Sequence, residues 1–153
     1  GRIERGSLGT MQSDDLKRIF DFANLDTNKT FVDIGAGNGK TVIAAAQAGA
    51  IAHGYEISLF PYIIARLKIL LLPREIRRRI FFHYKSFWNV NLGQFDCIYL
   101  FLMPKIFPRL VKKIKNECTA GTKIICYVWP LPELSLKKIS EEENHPKIFF
   151  YEK

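Results

Sequence analysis

One stretch constrains this chain more than any other: Phe31-Val32-Asp33-Ile34-Gly35-Ala36-Gly37-Asn38-Gly39-Lys40. A short apolar run meets three alternating glycines, and an Ala-rich segment, Gly39 to Gly49, follows with helical character. An apolar run that ends at glycines reads as a buried strand. Glycine serves such a turn in two ways. It accepts backbone angles that a side chain forbids, and it lets a ligand approach the main chain closely. The alternative is an ordinary Gly-rich bend between a strand and a helix.

The spacing of the glycines separates ligands. A dinucleotide fingerprint, G-x-G-x-x-G, needs its third glycine at position 40, where Lys40 stands. A P-loop needs its first glycine at position 34, which is Ile34. Neither pattern is written here. The second strand, Ala50 to Tyr55, is followed at once by Glu56. A carboxylate at that place offers two oxygens to the vicinal hydroxyls of a ribose. Alone it would pass for a solvated strand end. Joined to the glycine loop, it favours a nucleoside ligand.

The rest of the chain alternates in the same way. Ser13, Asp14 and Asp15 offer a cap and an acidic first turn to a helix through Leu16, Ile19, Phe20 and Ala23. Phe60 to Leu72 is helical, with Pro61 in its first turn and Pro73 past its end. Arg79 to Tyr84 and Phe95 to Leu102 read as strands, Pro104 to Cys118 as a helix closed by Gly121, and Thr122 to Trp129 as a fifth strand. Two Pro-bounded segments, Leu134 to Ile139 and Lys147 to Tyr151, read as a terminal hairpin with its turn at Glu141 to His145. This alternation predicts an α/β fold: a doubly wound, mostly parallel sheet ending in an antiparallel hairpin. Ligands of such sheets bind at the carboxyl ends of the strands, where the strand order switches. The 153 residues suit one domain over 1–153, with 1–12 expected as a flexible N-terminal segment.

Composition narrows the setting. With 48% apolar residues the chain supports a core, which excludes disorder of the whole. The net charge of +8 points to an acidic or nucleic-acid partner. Lys105, Arg109, Lys112 and Lys113 share one helix face, opposite Phe107, Leu110, Val111 and Ile114. That arrangement also suits a plain solvated face. Cys97, Cys118 and Cys126 have no metal spacing and read as reduced, buried thiols of a cytoplasmic protein. No metal site is expected, and no apolar stretch is long enough to span a bilayer.

The order Asp33-x-Gly35-x-Gly37-x-Gly39, then Glu56, resembles motif I and the second-strand acid of class I S-adenosylmethionine-dependent methyltransferases. Gly54-Tyr55-Glu56-Ile57, Tyr99 to Pro104 and Gly121 to Ile125 extend the resemblance over nearly the whole chain. Within the class it is most similar to the small protein-lysine methyltransferases. The resemblance implies a Rossmann-like methyltransferase fold and S-adenosyl-L-methionine as cofactor. It implies methyl transfer to an amine, the side chain of a protein lysine, in a protein substrate. Asp33, Gly35, Ala36, Gly37, Asn38 and Gly39 would shape the cofactor loop, with Glu56 on the ribose. Ile57 and Phe87 would flank the adenine, Ser86 would lie near its amine, and Thr10 would stand for a Pro-Tyr-rich segment this chain lacks. Phe101, Leu102 and Trp129 would line the acceptor pocket, with no acid or base assigned. The rival readings are an RNA or small-molecule methyltransferase and a non-catalytic cofactor-binding module. Against base-amine transfer, Phe101-Leu102-Met103-Pro104 offers no amide or carboxylate.

Overall fold

The computed structural model describes residues 13–153. Helix α1 (Ser13–Ala23) leads into β1 (Thr30–Asp33), α2 (Lys40–Gln47) and β2 (Ile51–Glu56). Helix α3 (Leu59–Leu70) and the single-turn α4 (Arg74–Arg77) precede β3 (Ile80–Tyr84). Two short 3-10 turns lead to β4 (Cys97–Leu100), and a third opens α5 (Phe107–Glu117). Strand β5 (Lys123–Tyr127) and the hairpin β6 (Leu136–Ser140) and β7 (Ile148–Glu152) complete the chain. The strands form one seven-stranded sheet in the order β3-β2-β1-β4-β5-β7-β6. The first five are parallel, and β7 joins β5 antiparallel. The expected fold class is therefore the observed one.

Alternation along the strands explains the two cores. In β4, Cys97 and Tyr99 belong to one buried cluster, and Ile98 and Leu100 to the other. In β5 the same split puts Ile125 and Tyr127 against Ile124 and Cys126. One face packs on Ile19, Val42, Ala45, Ala65 and Ile69 from α1, α2 and α3. The other packs on Phe107, Leu110, Val111 and Ile114 from α5. A period-2 strand covered on both faces must read as nearly continuous apolar sequence, which β4 and β5 do.

The strand order reverses between β1 and β4. There the N–H of Ile34 donates to the carbonyl of Tyr99 at 3.2 Å, so the two carboxyl ends leave the sheet side by side. Two loops diverging from one edge open the crevice typical of a switch point.

Asp15 stands in the first turn of α1, as expected, and it is fully buried. The Tyr127 hydroxyl donates to it at 3.1 Å, Arg18 pairs with it, and His145 Nδ1 lies 3.2 Å away. Arg18 also pairs with Glu142 at 2.6 Å. This network ties α1 to the end of β5 and to the hairpin turn. Burial pushes the Tyr127 hydroxyl up from its ordinary pKa, and the Asp15 charge adds to the shift. Removing one partner of a buried pair strands the other. Asp15→Ala is therefore expected to cost about 3 kcal/mol of unfolding free energy. Urea denaturation checks this, and a loss below about 0.5 kcal/mol, the range of surface changes, would contradict the buried network.

Candidate functional site

The site begins where β1 ends. Asp33 is buried, and its Oδ1 accepts the N–H of Gly35 at 3.2 Å. The Ala36 N–H reaches across to the carbonyl of Tyr55 at 3.0 Å, and the Gly39 N–H closes a turn on the carbonyl of Ala36 at 2.9 Å. Gly37 and Gly39 sit at φ +54° and +83°. Side chains rarely adopt these angles, which accounts for both glycines. Gly35 answers a different need: a Cβ there would lie 2.8 Å from Leu102 Cδ2. Leu102, leaving β4, thus packs directly on the loop. At Gly37 no described atom lies within 4 Å of where a Cβ would stand, so the bend has an open side.

Glu56 stands across that bend. Its Oε1 accepts the Gly37 N–H at 2.7 Å, and its Oε2 accepts the Ser58 N–H at 2.9 Å. The carboxylate holds the loop to the end of β2 and keeps lone pairs for further donors. The backbone N–H of Lys85 donates to the Glu56 carbonyl at 3.1 Å, which sets the exit of β3 alongside. Asn38 is exposed, with Oδ1 3.4 Å from the Lys40 N–H.

The structure thus brings Asp33, Gly35, Ala36, Gly37, Gly39, Glu56 and Leu102 together. Ile57 follows Glu56 and is largely exposed. Ser86 lies just beyond β3, and its hydroxyl oxygen accepts the Trp88 N–H at 3.3 Å as the cap of a 3-10 turn. Phe87 opens that turn and is buried in one cluster with Tyr55, Val90 and Leu92. Thr10 lies outside the described residues.

A second group gathers at the ends of β4 and β5. Phe101 and Trp129 stack with ring centroids 5.8 Å apart and planes 8° from parallel. Tyr127 meets Phe101 edge-on at 5.4 Å. Between them Val128 has φ +81°, a strained setting for a β-branched residue that costs of order 1–3 kcal/mol. Its N–H is held by the carbonyl of Lys147 at 2.8 Å. Sequence reasoning missed Val128, Asp15 and Tyr127. Nothing local marks a strained valine, and the partners of Asp15 lie more than a hundred residues away in sequence.

Asp33 carries the one large carboxyl shift among the described residues. Burial pushes its pKa up to about 7, the Gly35 N–H opposes the rise, and the nearby Glu56 charge adds to it. The folded chain thus holds this proton more tightly than the unfolded one, whose ordinary value is 3.8. Stability from this group is present below pH 3.8 and is lost as pH rises to about 7.

Fold and site define a class: an α/β domain whose first strand feeds a glycine bend, with an acid on the second strand. Similarity to known proteins specifies the family. Residues 33–138 match the model of the ANTKMT methyltransferase domain, and the chain belongs to that family. It is 33% identical over 101 residues to a lysine N-methyltransferase of Rattus norvegicus named for a component of ATP synthase, covering 66% of this chain and 46% of that one. It is 29% identical over 102 residues to the adenine nucleotide translocase lysine N-methyltransferase of Mus musculus, covering 66% and 44%. The chain spans about half the length of the curated relatives it matches. In shape it is similar to an RNA methyltransferase from Salinibacter ruber solved with S-adenosyl-L-homocysteine. That match has a TM-score of 0.83 at 17% identity, covers 94% and 92% of the two chains, and speaks to fold alone.

Asp33→Asn keeps an acceptor for Gly35 and removes the titration. Between pH 5 and pH 8, the wild type should lose more unfolding free energy than the variant in matched urea titrations. Equal losses would show that Asp33 is not the group responsible.

Proposed function

We propose that this domain binds S-adenosylmethionine at the glycine bend and transfers its methyl group to a protein lysine. The observation that carries the reading is the Glu56 carboxylate, aimed at the Gly37 amide beside the open side of the bend. A ribose diol fits the remaining lone pairs of Glu56, and the exposed Ile57 offers an apolar wall for a base. The residues present therefore fit the cofactor. Lysine methyltransferases among its relatives support the choice of acceptor.

When bound, the sulfonium supplies a methyl already activated for in-line displacement. The work left to the chain is alignment and desolvation. Leu102, packed on Gly35, bounds the bend on the β4 side. Phe101, which precedes Leu102, stacks on Trp129 and brings an aromatic pair to the ends of β4 and β5. A lysine has a reference pKa of about 10.4, so roughly one amine in 2,500 is neutral at pH 7. Ring faces attract the arriving ammonium, and burial then favours its neutral form. Asp15 and Tyr127 sit behind Phe101 and hold the end of β5 in place.

The same reading includes an acidic or nucleic-acid partner at α5, through Arg109 and Lys112, with Lys105 in the 3-10 turn that precedes the helix. Lys113 contributes less, since it pairs with Glu117 at 2.7 Å and donates to the Trp88 carbonyl at 3.1 Å. Arg109 lies 4.0 Å over the Trp88 ring. A cytoplasmic setting is supported by three cysteines that are buried and free.

Two variants test the reading. Glu56→Ala removes a charged acceptor worth about 1.5–3 kcal/mol per hydrogen bond, so S-adenosylmethionine affinity should fall about tenfold or more. Calorimetry checks it, and unchanged affinity removes Glu56 from the site. Trp129→Ala should leave that affinity within about twofold and lower the single-turnover rate of methyl transfer to lysine by about tenfold or more. Labelled cofactor, with protein and RNA acceptors assayed apart, reads the transfer. Label in RNA alone, or in neither, would overturn the lysine assignment.

A further inference from the structure

Helix α3 presents an arrangement that methyl transfer does not use. Its inner line, Ala65 and Ile69, is buried against the sheet. Its outer side is also apolar. Phe60, Ile63, Ile64, Leu67, Leu70 and Leu71 are between 42% and 87% exposed. With about 100° between successive residues, these six fall on one contiguous stripe opposite the buried line. A helix apolar all round belongs in a core or a bilayer, not on a free surface. Large contiguous apolar patches mark interaction sites.

The cations around the stripe identify what covers it. Arg66 and Lys68 flank Leu67 in sequence, so they stand about 100° to either side, on the shoulders of the helix. Arg74, Arg77, Arg78 and Arg79 follow immediately. From position 57 to 79 there are six cations and one acid, Glu75. Arg66, Lys68, Arg74, Arg77 and Arg78 are exposed. An apolar stripe with cationic shoulders is the pattern of a helix lying in the plane of a lipid interface. The stems of Arg and Lys lie along apolar surface while their heads reach the headgroups. A second copy of the chain is a poorer fit, because a two-fold contact would bring two cationic rims together.

We propose that the outer face of α3 docks the domain on an anionic lipid surface, with Phe60, Ile64 and Leu67 entering the headgroup region and Arg66 and Lys68 on lipid phosphates. The N-terminal end of the helix follows Ser58, whose N–H holds Glu56. Docking would therefore set the mouth of the glycine bend at the membrane surface. The inference concerns a surface apart from the bend and does not rest on the activity.

The test is co-sedimentation with phosphatidylcholine vesicles, with and without about one third phosphatidylglycerol, at physiological salt of about 0.15 M. The chain should partition onto the anionic vesicles. Because net charge alone drives some binding, the deciding variant is Phe60→Gln/Leu67→Gln, which keeps every charge and changes only exposed side chains. It should lose at least about tenfold in partitioning, at an unchanged thermal midpoint. Leu67→Trp should show a blue-shifted emission with anionic vesicles. Equal partitioning of the double variant and the wild type would overturn the proposal, as would no partitioning at all. A concentration-dependent dimer in sedimentation velocity that the double variant abolishes, without vesicle binding, would assign the face to a second copy and overturn it too. Calorimetry of S-adenosylmethionine on the same variants reads the bend separately, so failure of one proposal leaves the other standing.

Discussion

The carboxylate of Glu56 is the point on which the geometry of the bend depends. It accepts one amide from the loop after β1 and one from the start of α3. Those two segments leave the carboxyl ends of β1 and β2, which stand side by side because the two strands pair in parallel. Without that acceptor, the Gly37 amide at φ +54° would lose its described partner, and the bend would lose its tie to β2. The same charge adds to the burial that raises Asp33, so the two acids are electrostatically linked at the switch point.

The aromatic group at the ends of β4 and β5 depends on a second acid. Asp15, brought from α1, fixes Tyr127, and Tyr127 supports Phe101 from the edge while Trp129 stacks on its face. The strained Val128 lies within this arrangement. Strain at a residue between two positioned rings is tolerated only when its surroundings over-determine it. Here the carbonyl of Lys147 does so from the terminal hairpin. The hairpin is thus more than an edge of the sheet. It holds the end of β5 through Lys147, and through His145 and Glu142 it closes on Asp15 and Arg18.

The sheet and the bend were legible in the sequence for a local reason. Alternating strand and helix patterns imply crossovers, and the three glycines state a turn whose ligand can be argued from spacing. Element ends shifted by up to three residues, as when Phe95 to Leu102 shortened to Cys97–Leu100 and the helix expected from Pro104 began at Phe107. What escaped was non-local. Asp15 reads as a helix-start acid until Tyr127 and His145 are seen against it. The outer side of α3 escaped because a helix apolar on two sides has no periodic signal to tell inside from outside. Only its exposure separates Phe60 and Leu67 from Ala65 and Ile69.

A crystal structure with S-adenosyl-L-homocysteine bound tests the central claim most directly. The ribose hydroxyls are expected within hydrogen-bond distance of both Glu56 oxygens, with the amino-acid end beside Gly35 and Gly37. A ribose bound elsewhere, with Glu56 still engaged only by the Gly37 and Ser58 amides, would contradict that claim.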